Sequence, residues 1–301
     1  MGEKDTITKE FMDNNIFFAD FCNYYIYNGQ QIIQPNQLQA VDPKLTLQNE
    51  SAKNRDILNY ITAKTTNNAA YLIVGIENQS DIDYAMPVRN MLYDALQYDK
   101  QRKEIIKVHR NNKEYANYTS GVQKADKLLP VITIVVYFGS KPWDGPLHLH
   151  DMLDTDDPNL LRYVADYTIQ LIDPHQLDEK ALEKFKTNAR EVMTFIKHAK
   201  DKEKILELVQ EERYKSLDAL AANVINVCTN SKLPLITNQE EDVNMCQAID
   251  EIREDSRNEG IQQKAKEMAL KLLKDNLCSL EKIAELTDLP LAEIESLQKA
   301  I

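Results

Sequence analysis

Few residues interrupt this chain. Glycine occurs 7 times and proline 10 times in 301 residues, which excludes a loop-rich or collagen-like chain and predicts long regular elements. Cysteine is scarce too. Cys22, Cys228, Cys246 and Cys278 lie far apart and form no Cys-x-x-Cys pair. That excludes a disulfide framework or a zinc knuckle and makes a reducing cytoplasm the expected compartment. No run approaches the roughly 20 consecutive apolar residues of a membrane span, and no apolar signal segment follows the start, so no membrane partner is expected. Excess positive charge is also missing. A net charge of −12 argues against a protein that simply coats nucleic acid.

What is present is ample apolar material, 43% of residues, enough for two or three domains. The charge is uneven. Residues 1–150 carry 16 basic against 17 acidic residues, and the remainder 20 against 31. The near-neutral first half also holds a basic concentration, KQRKEIIKVHRNNK at 100–113. On a helix such a run is either a solvated face or a surface for phosphates.

The stretch TKEFMDNNIFFADFCNYYIYNG reads as one amphipathic helix closed by Gly29. RDILNYIT (55–62), TTNNAA and YLIVGIEN (71–78) read as strand, turn and strand. Pro87 opens a helix to about residue 110, with Met91, Leu92, Ala95 and Leu96 on one side. LPVITIVVYFG (129–139) lacks charge and alternation, the mark of a strand buried on both faces. From about residue 176 the chain is charged and helical, and the tail splits into two short helices at Asp288-Leu289-Pro290. The expected divisions are 1–175, 176–245 and 246–301.

The end of YLIVGIENQS poses a chemical question: why should a buried strand finish in Glu77, Asn78 and Gln79? Side chains alternate along a strand, so positions 77 and 79 share a face. A two-residue turn at Asn67-Asn68 makes opposed positions sum to 135, which sets Asp56 against Gln79 and Glu77 against Leu58. Asp56 and Glu77 are then diagonal neighbours about 7–8 Å apart in the backbone. Two carboxylates brought together on an apolar face cost several kcal/mol each unless paired. A divalent cation resolves that cost, since Mg²⁺ takes one or two carboxylates and completes its shell with water and phosphate. The residues alone also permit a plain reading, in which the strand has reached solvent and Asp56 pairs with Arg55 or Lys53.

The succession RDILNY, YLIVGIENQS, YAMPVRNMLYDALQY and LPVITIVVYFGSKPWDGPLHLHDML resembles the recombination-promoting nuclease/putative transposase family. That family is a branch of the PD-(D/E)XK nuclease superfamily, and the similarity runs in order over roughly residues 5–175. The resemblance implies an α/β fold: a PD-(D/E)XK restriction-endonuclease-like core, a mixed sheet flanked by helices, followed by an all-helical C-terminal region. It implies a DNA endonuclease that uses Mg²⁺, with Mn²⁺ as the alternative ion. Asp56 matches the motif aspartate and Glu77 the acidic residue of (D/E)-x-K, the two metal ligands. Gln79 stands where most of the superfamily has lysine, so it can orient water only as a neutral amide. From the first helix the resemblance makes Asp20 a catalytic candidate, with Asp13 behind it. From the helix after Glu77 it points to the row Arg89, Tyr93 and Gln97, with Arg89 best placed for a phosphate. Lys100, Arg102, Lys103, Lys107 and Arg110 continue that helix as contacts to a DNA backbone.

WDGPLHLHDML marks the family, and Trp143 and Pro146 in it are expected to pack a loop against the sheet. His148 and His150 have the spacing of a ligand pair but no nearby Cys or carboxylate partner of known geometry. The tail has helix-turn-helix spacing, yet 279–301 holds five acidic residues and two lysines. Packing, or a homodimer through the acidic helical half, fits that sign better than DNA. Two rival readings are a catalytically degenerate DNA- or protein-binding module of the same fold and a nuclease for RNA.

Overall fold

A computed structural model describes residues 2–41, 59–64, 71–113, 120–231, 235–236, 242–275 and 278–299; for 39–41, 59–64, 71–79 and 299 it describes the backbone. The chain divides into two compact units, Met1–Ser231 with Leu235–Val243, and Lys232–Pro234 with Asn244–Ile301.

The first unit is built on a five-stranded sheet of β1 (Leu38–Val41), β2 (Asn59–Lys64), β3 (Tyr71–Gln79), β4 (Val131–Tyr137) and β5 (Gln170–Ile172), in that spatial order. β1, β2 and β3 pair antiparallel, whereas β3, β4 and β5 pair parallel. β3 is therefore the strand at which the sheet changes direction. Along β2 and β3, Tyr60 lies opposite Gly75 and Thr62 opposite Ile73, the register expected from a sum of 135. The turn at 65–70 and residues 51–58, Asp56 among them, lie outside the described residues.

β4 is buried on both faces, as its uncharged run requires. Ile134, Val135 and Val136 are wholly enclosed, and Tyr137 nearly so. The sheet has helices on either side. On one lie α1 (Glu3–Asp13) and α2 (Asn15–Tyr27), where Phe11 meets Phe138 edge-on at 6.5 Å. The other is covered by α3 (Met86–Asn111), whose Met86 joins Val135, Tyr137, Trp143 and Ile169 in one apolar cluster. Two turns, α4 (Pro158–Leu161) and α5 (Glu179–Leu182), follow. Then come α6 (Ala189–His198), α7 (Lys202–Leu208) and α8 (Ala219–Thr229), with α8 packed on α1 and α6.

The first helix departs from expectation. It breaks at Asn14, whose backbone is extended and whose side chain accepts from the Ile16 amide at 2.9 Å. Asparagine competes for backbone donors in this way, and so caps helices better than it continues them. The break brings Phe11 onto Phe17 in a stack of 4.1 Å.

α3 starts and stops within a residue of expectation, but it faces the other way. Val88, Met91 and Leu92 are 40%, 38% and 42% exposed, while Asn90, Tyr93, Asp94 and Gln97 point inward. The apolar stripe at 91, 92, 95 and 96 is not the packing face.

In the second unit α9 (Met245–Asp275) is followed by α10 (Leu280–Thr287) and α11 (Leu291–Lys299). Ala269, Ile283, Leu289 and Ile294 form their core, with Lys266 bonded to Glu293 at 2.8 Å. Asp288 takes a left-handed conformation between the last two helices. Packing on α9 accounts for the apolar sides of the tail helices. Among the described residues no helix is long and apolar enough to cross a membrane.

α2 ends where Asn28 and Gly29 turn left-handed, at φ 53° and 85°. A Cβ on Gly29 would sit 2.7 Å from the Lys184 Cβ and 2.9 Å from the Lys184 carbonyl oxygen. Gly29→Ala is therefore expected to cost about 1–3 kcal/mol, read as a lower urea midpoint with an unchanged slope.

Candidate functional site

Glu77, Asn78 and Gln79 are the last residues of β3, in parallel register with Val135, Val136 and Tyr137 of β4. In open α/β sheets ligands gather beyond the carboxyl ends of strands. Glu77 to Gln79 form such a carboxyl end. The surroundings are negative: burial, and then Asp173, Asp81 and Asp144, push the Tyr137 phenol up to about 12. Among the described residues no three His, Cys, Asp or Glu side chains cluster as metal ligands. Asp56 and the Glu77 side chain fall outside that set.

Asp20 lies on α2. It is 2% exposed, and its carboxylate accepts from the Lys186 amide (2.8 and 3.0 Å), the Thr187 amide (2.8 Å) and the Thr187 hydroxyl (2.7 Å). These bonds tie α2 to the segment that leads into α6. Asp20 is an anchor, which is why a carboxylate can stay buried without a cation. Asp13 is exposed at the end of α1.

The inward face of α3 is polar. The Asp94 carboxylate accepts from the Thr133 hydroxyl (2.6 Å) and the Tyr167 hydroxyl (2.5 Å). Burial raises its pKa above the ordinary carboxylate value, against the pull of those two donors. A cleft of about 470 Å³, lined by Tyr25, Thr133, Asp166, Tyr167 and Gln170 among others, opens beside it. Asn90 and Gln97 lie one turn to either side, 0% and 1% exposed. Among the described residues, both polar atoms of Asn90 and the Nε2 of Gln97 find no hydrogen-bond partner.

The row of Arg89, Tyr93 and Gln97 is only partly assembled. The Arg89 guanidinium donates to the Tyr93 hydroxyl at 3.0 Å and pairs with Asp83 at 3.1 Å. Farther along α3 the basic residues do form a surface. Lys100, Lys103, Lys107 and Arg110 recur at intervals of three and four and so share one side, about 15 Å long. Lys103 and Arg102 both bond Asp99 at 2.7 Å, which offsets part of their charge.

The WDGPLHLHDML segment is structural where it is best defined. Trp143 lies edge-on to Tyr137 at 5.3 Å, its backbone N–H donates to Asp173 at 3.0 Å, and its indole donates to the Gly145 carbonyl at 2.9 Å. His148 bonds Asp166 at 3.1 Å, while the His150 ring meets the Val164 carbonyl at 2.9 Å.

Residues 3–223 match the family described as "Putative transposase, YhgA-like". The chain belongs to this family. The match takes in all five strands and α3, and it ends inside α8, before the second compact unit. No curated protein and no solved structure matches the chain. In this YhgA-like chain, Asn90, Asp94, Thr133 and Tyr167 are the polar core residues that sequence reasoning passed over. Asn90, Asp94 and Gln97 do recur at i, i+4 and i+7, a stripe legible once the outward face is discounted.

Two outcomes follow from these placements. Asp20→Ala should lower the unfolding free energy by about 2–3 kcal/mol, equally with and without divalent metal in chemical denaturation. Between the ordinary carboxylate value and the raised value of Asp94, the folded chain holds the extra proton. The stability tied to this group therefore falls as pH rises through that window. Asp94→Asn should flatten that fall in melting curves collected across pH.

Proposed function

We propose that this chain is a metal-dependent endonuclease that hydrolyses DNA phosphodiesters, with a PD-(D/E)XK-type core. The observation that carries the reading is the polar end of β3, Glu77 to Gln79, on the strand where antiparallel pairing gives way to parallel. The β2–β3 register supports it, since every described pair keeps the sum that would bring Asp56 to the Glu77 and Gln79 positions. Membership of a family described as transposases supports DNA as the partner, in recombination or mobile-element chemistry.

In this reading Asp56 and Glu77 hold Mg²⁺ or Mn²⁺, and the buried, unmatched carboxamide of Asn90 fits a site built for a hydrated cation. The ion supplies charge stabilisation on the phosphate and a more acidic water. Gln79 orients the attacking water through its amide and, being neutral, takes no proton. The side of α3 bearing Lys100, Lys103, Lys107 and Arg110 holds the DNA backbone without reading sequence. Water adds to phosphorus and releases a proton to the surrounding solvent, the bond from phosphorus to the leaving sugar oxygen breaks, and that oxygen takes up a proton from solvent, so that one water is consumed per bond cut.

Gln79 in place of lysine favours a second reading, a module of the same fold that binds DNA or protein without cutting. Plasmid cleavage with Mg²⁺ or Mn²⁺ separates the two. The wild-type chain should nick the plasmid, and Glu77→Ala should lose at least about 100-fold in rate, on the scale of losing a catalytic acid–base or metal group. Wild-type and variant chains equally inactive on DNA, yet equally able to bind it, would select the second reading. Matched RNA substrates report whether the sugar matters.

A further inference from the structure

α3 runs against the direction of β4, and its inward residues descend the strand in step. Gln101 bonds Leu129 through both its amide atoms (2.7 and 3.1 Å), Tyr98 accepts from the Val131 amide (3.1 Å), and Asp94 bonds Thr133 (2.6 Å). Met86 packs with Val135 and Tyr137 at the far end. Four helix residues, about 6 Å, thus match two strand residues, about 6.6 Å. Asn90, a turn before Asp94, comes level with Val135, and Val135 is the backbone partner of Glu77.

Asn90 is fully buried, yet among the described residues neither its Nδ2 nor its Oδ1 has a partner. Native interiors leave few such groups, and an amide with both ends unmet needs a reason. An ordinary packing helix would turn Met91 and Leu92 inward instead. α3 exposes them and buries Asn90. A carboxamide offers an acceptor and a donor together. Oδ1 suits a water that hydrates a cation, and Nδ2 suits a phosphate oxygen, the two groups that meet at a phosphodiester-cleaving site.

We infer that Asn90 is a positioning residue of the site at the end of β3, binding through its carboxamide the water and phosphate oxygen that gather around a divalent cation. The inference rests on the nuclease reading above. Gln97 is not part of it, because its place along α3, one residue from Tyr98, is level with the start of β4.

Asn90→Leu in the full chain tests it with three measurements: melting temperature, Mn²⁺ affinity by calorimetry without DNA, and plasmid cleavage. Leucine removes two unmet polar atoms, so the melting temperature should hold or rise. Mn²⁺ affinity and the cleavage rate should each fall about 10–100-fold, as when the outer partners of a metal site are lost. Wild-type Mn²⁺ affinity and cleavage in a folded Asn90→Leu chain would overturn the inference while leaving the nuclease reading intact. If leucine prevents folding, Asn90→Ala is judged by the same criteria. A wild-type chain that neither binds Mn²⁺ nor cuts DNA would remove the nuclease reading, and this inference with it.

Discussion

A seven-residue strand without charge or alternation, Val131–Tyr137, is stable in water only when both its faces are covered. The first compact unit satisfies that constraint with α1 and α2 on one side and α3 on the other. Parallel pairing of β3 with β4 follows from it, because α3 must cross over the sheet between the two strands. The same crossover puts the polar end of β3 beside the start of α3.

α3 meets this demand in an unusual way. It buries Asn90, Asp94 and Gln97 and leaves Val88, Met91 and Leu92 exposed. Asp94 is compensated by two hydroxyl donors, whereas Asn90 finds no such partner among the described residues. Places where local rules are broken without a compensating gain in packing are where function is to be sought. By the spacing of α3 along β4, Asn90 comes level with Val135, the strand partner of Glu77, and that placement links the fold to the chemistry proposed for it.

Much of the framework was legible. A two-residue turn at Asn67-Asn68 gave the β2–β3 register, a sum of 135 that every described pair keeps. Pro87 and the composition of 87–110 gave the limits of α3, and the apolar run gave β4. The orientation of α3 was not legible. Its apolar stripe is a sound signal for a packing face, but Val88, Met91 and Leu92 are exposed and Asn90, Asp94 and Gln97 are buried. The partners of Asp20 were not legible for a related reason. A carboxylate in an apolar helix suggests chemistry, while the groups that satisfy it, the Lys186 and Thr187 amides, lie 166 and 167 residues away. Pairing at that separation leaves no periodic trace. For the candidate site the strand end was legible, and its roof was not.

The central claim is that the carboxylates of Asp56 and Glu77 share one divalent cation at the end of β3. Anomalous diffraction from crystals of the chain grown with Mn²⁺ tests it directly. The account predicts a single strong peak at coordination distance, about 2.0–2.2 Å, from oxygens of both residues. Carboxylates more than about 8 Å apart could not share such an ion, and that result, or a Mn²⁺ peak at other residues alone, would contradict it.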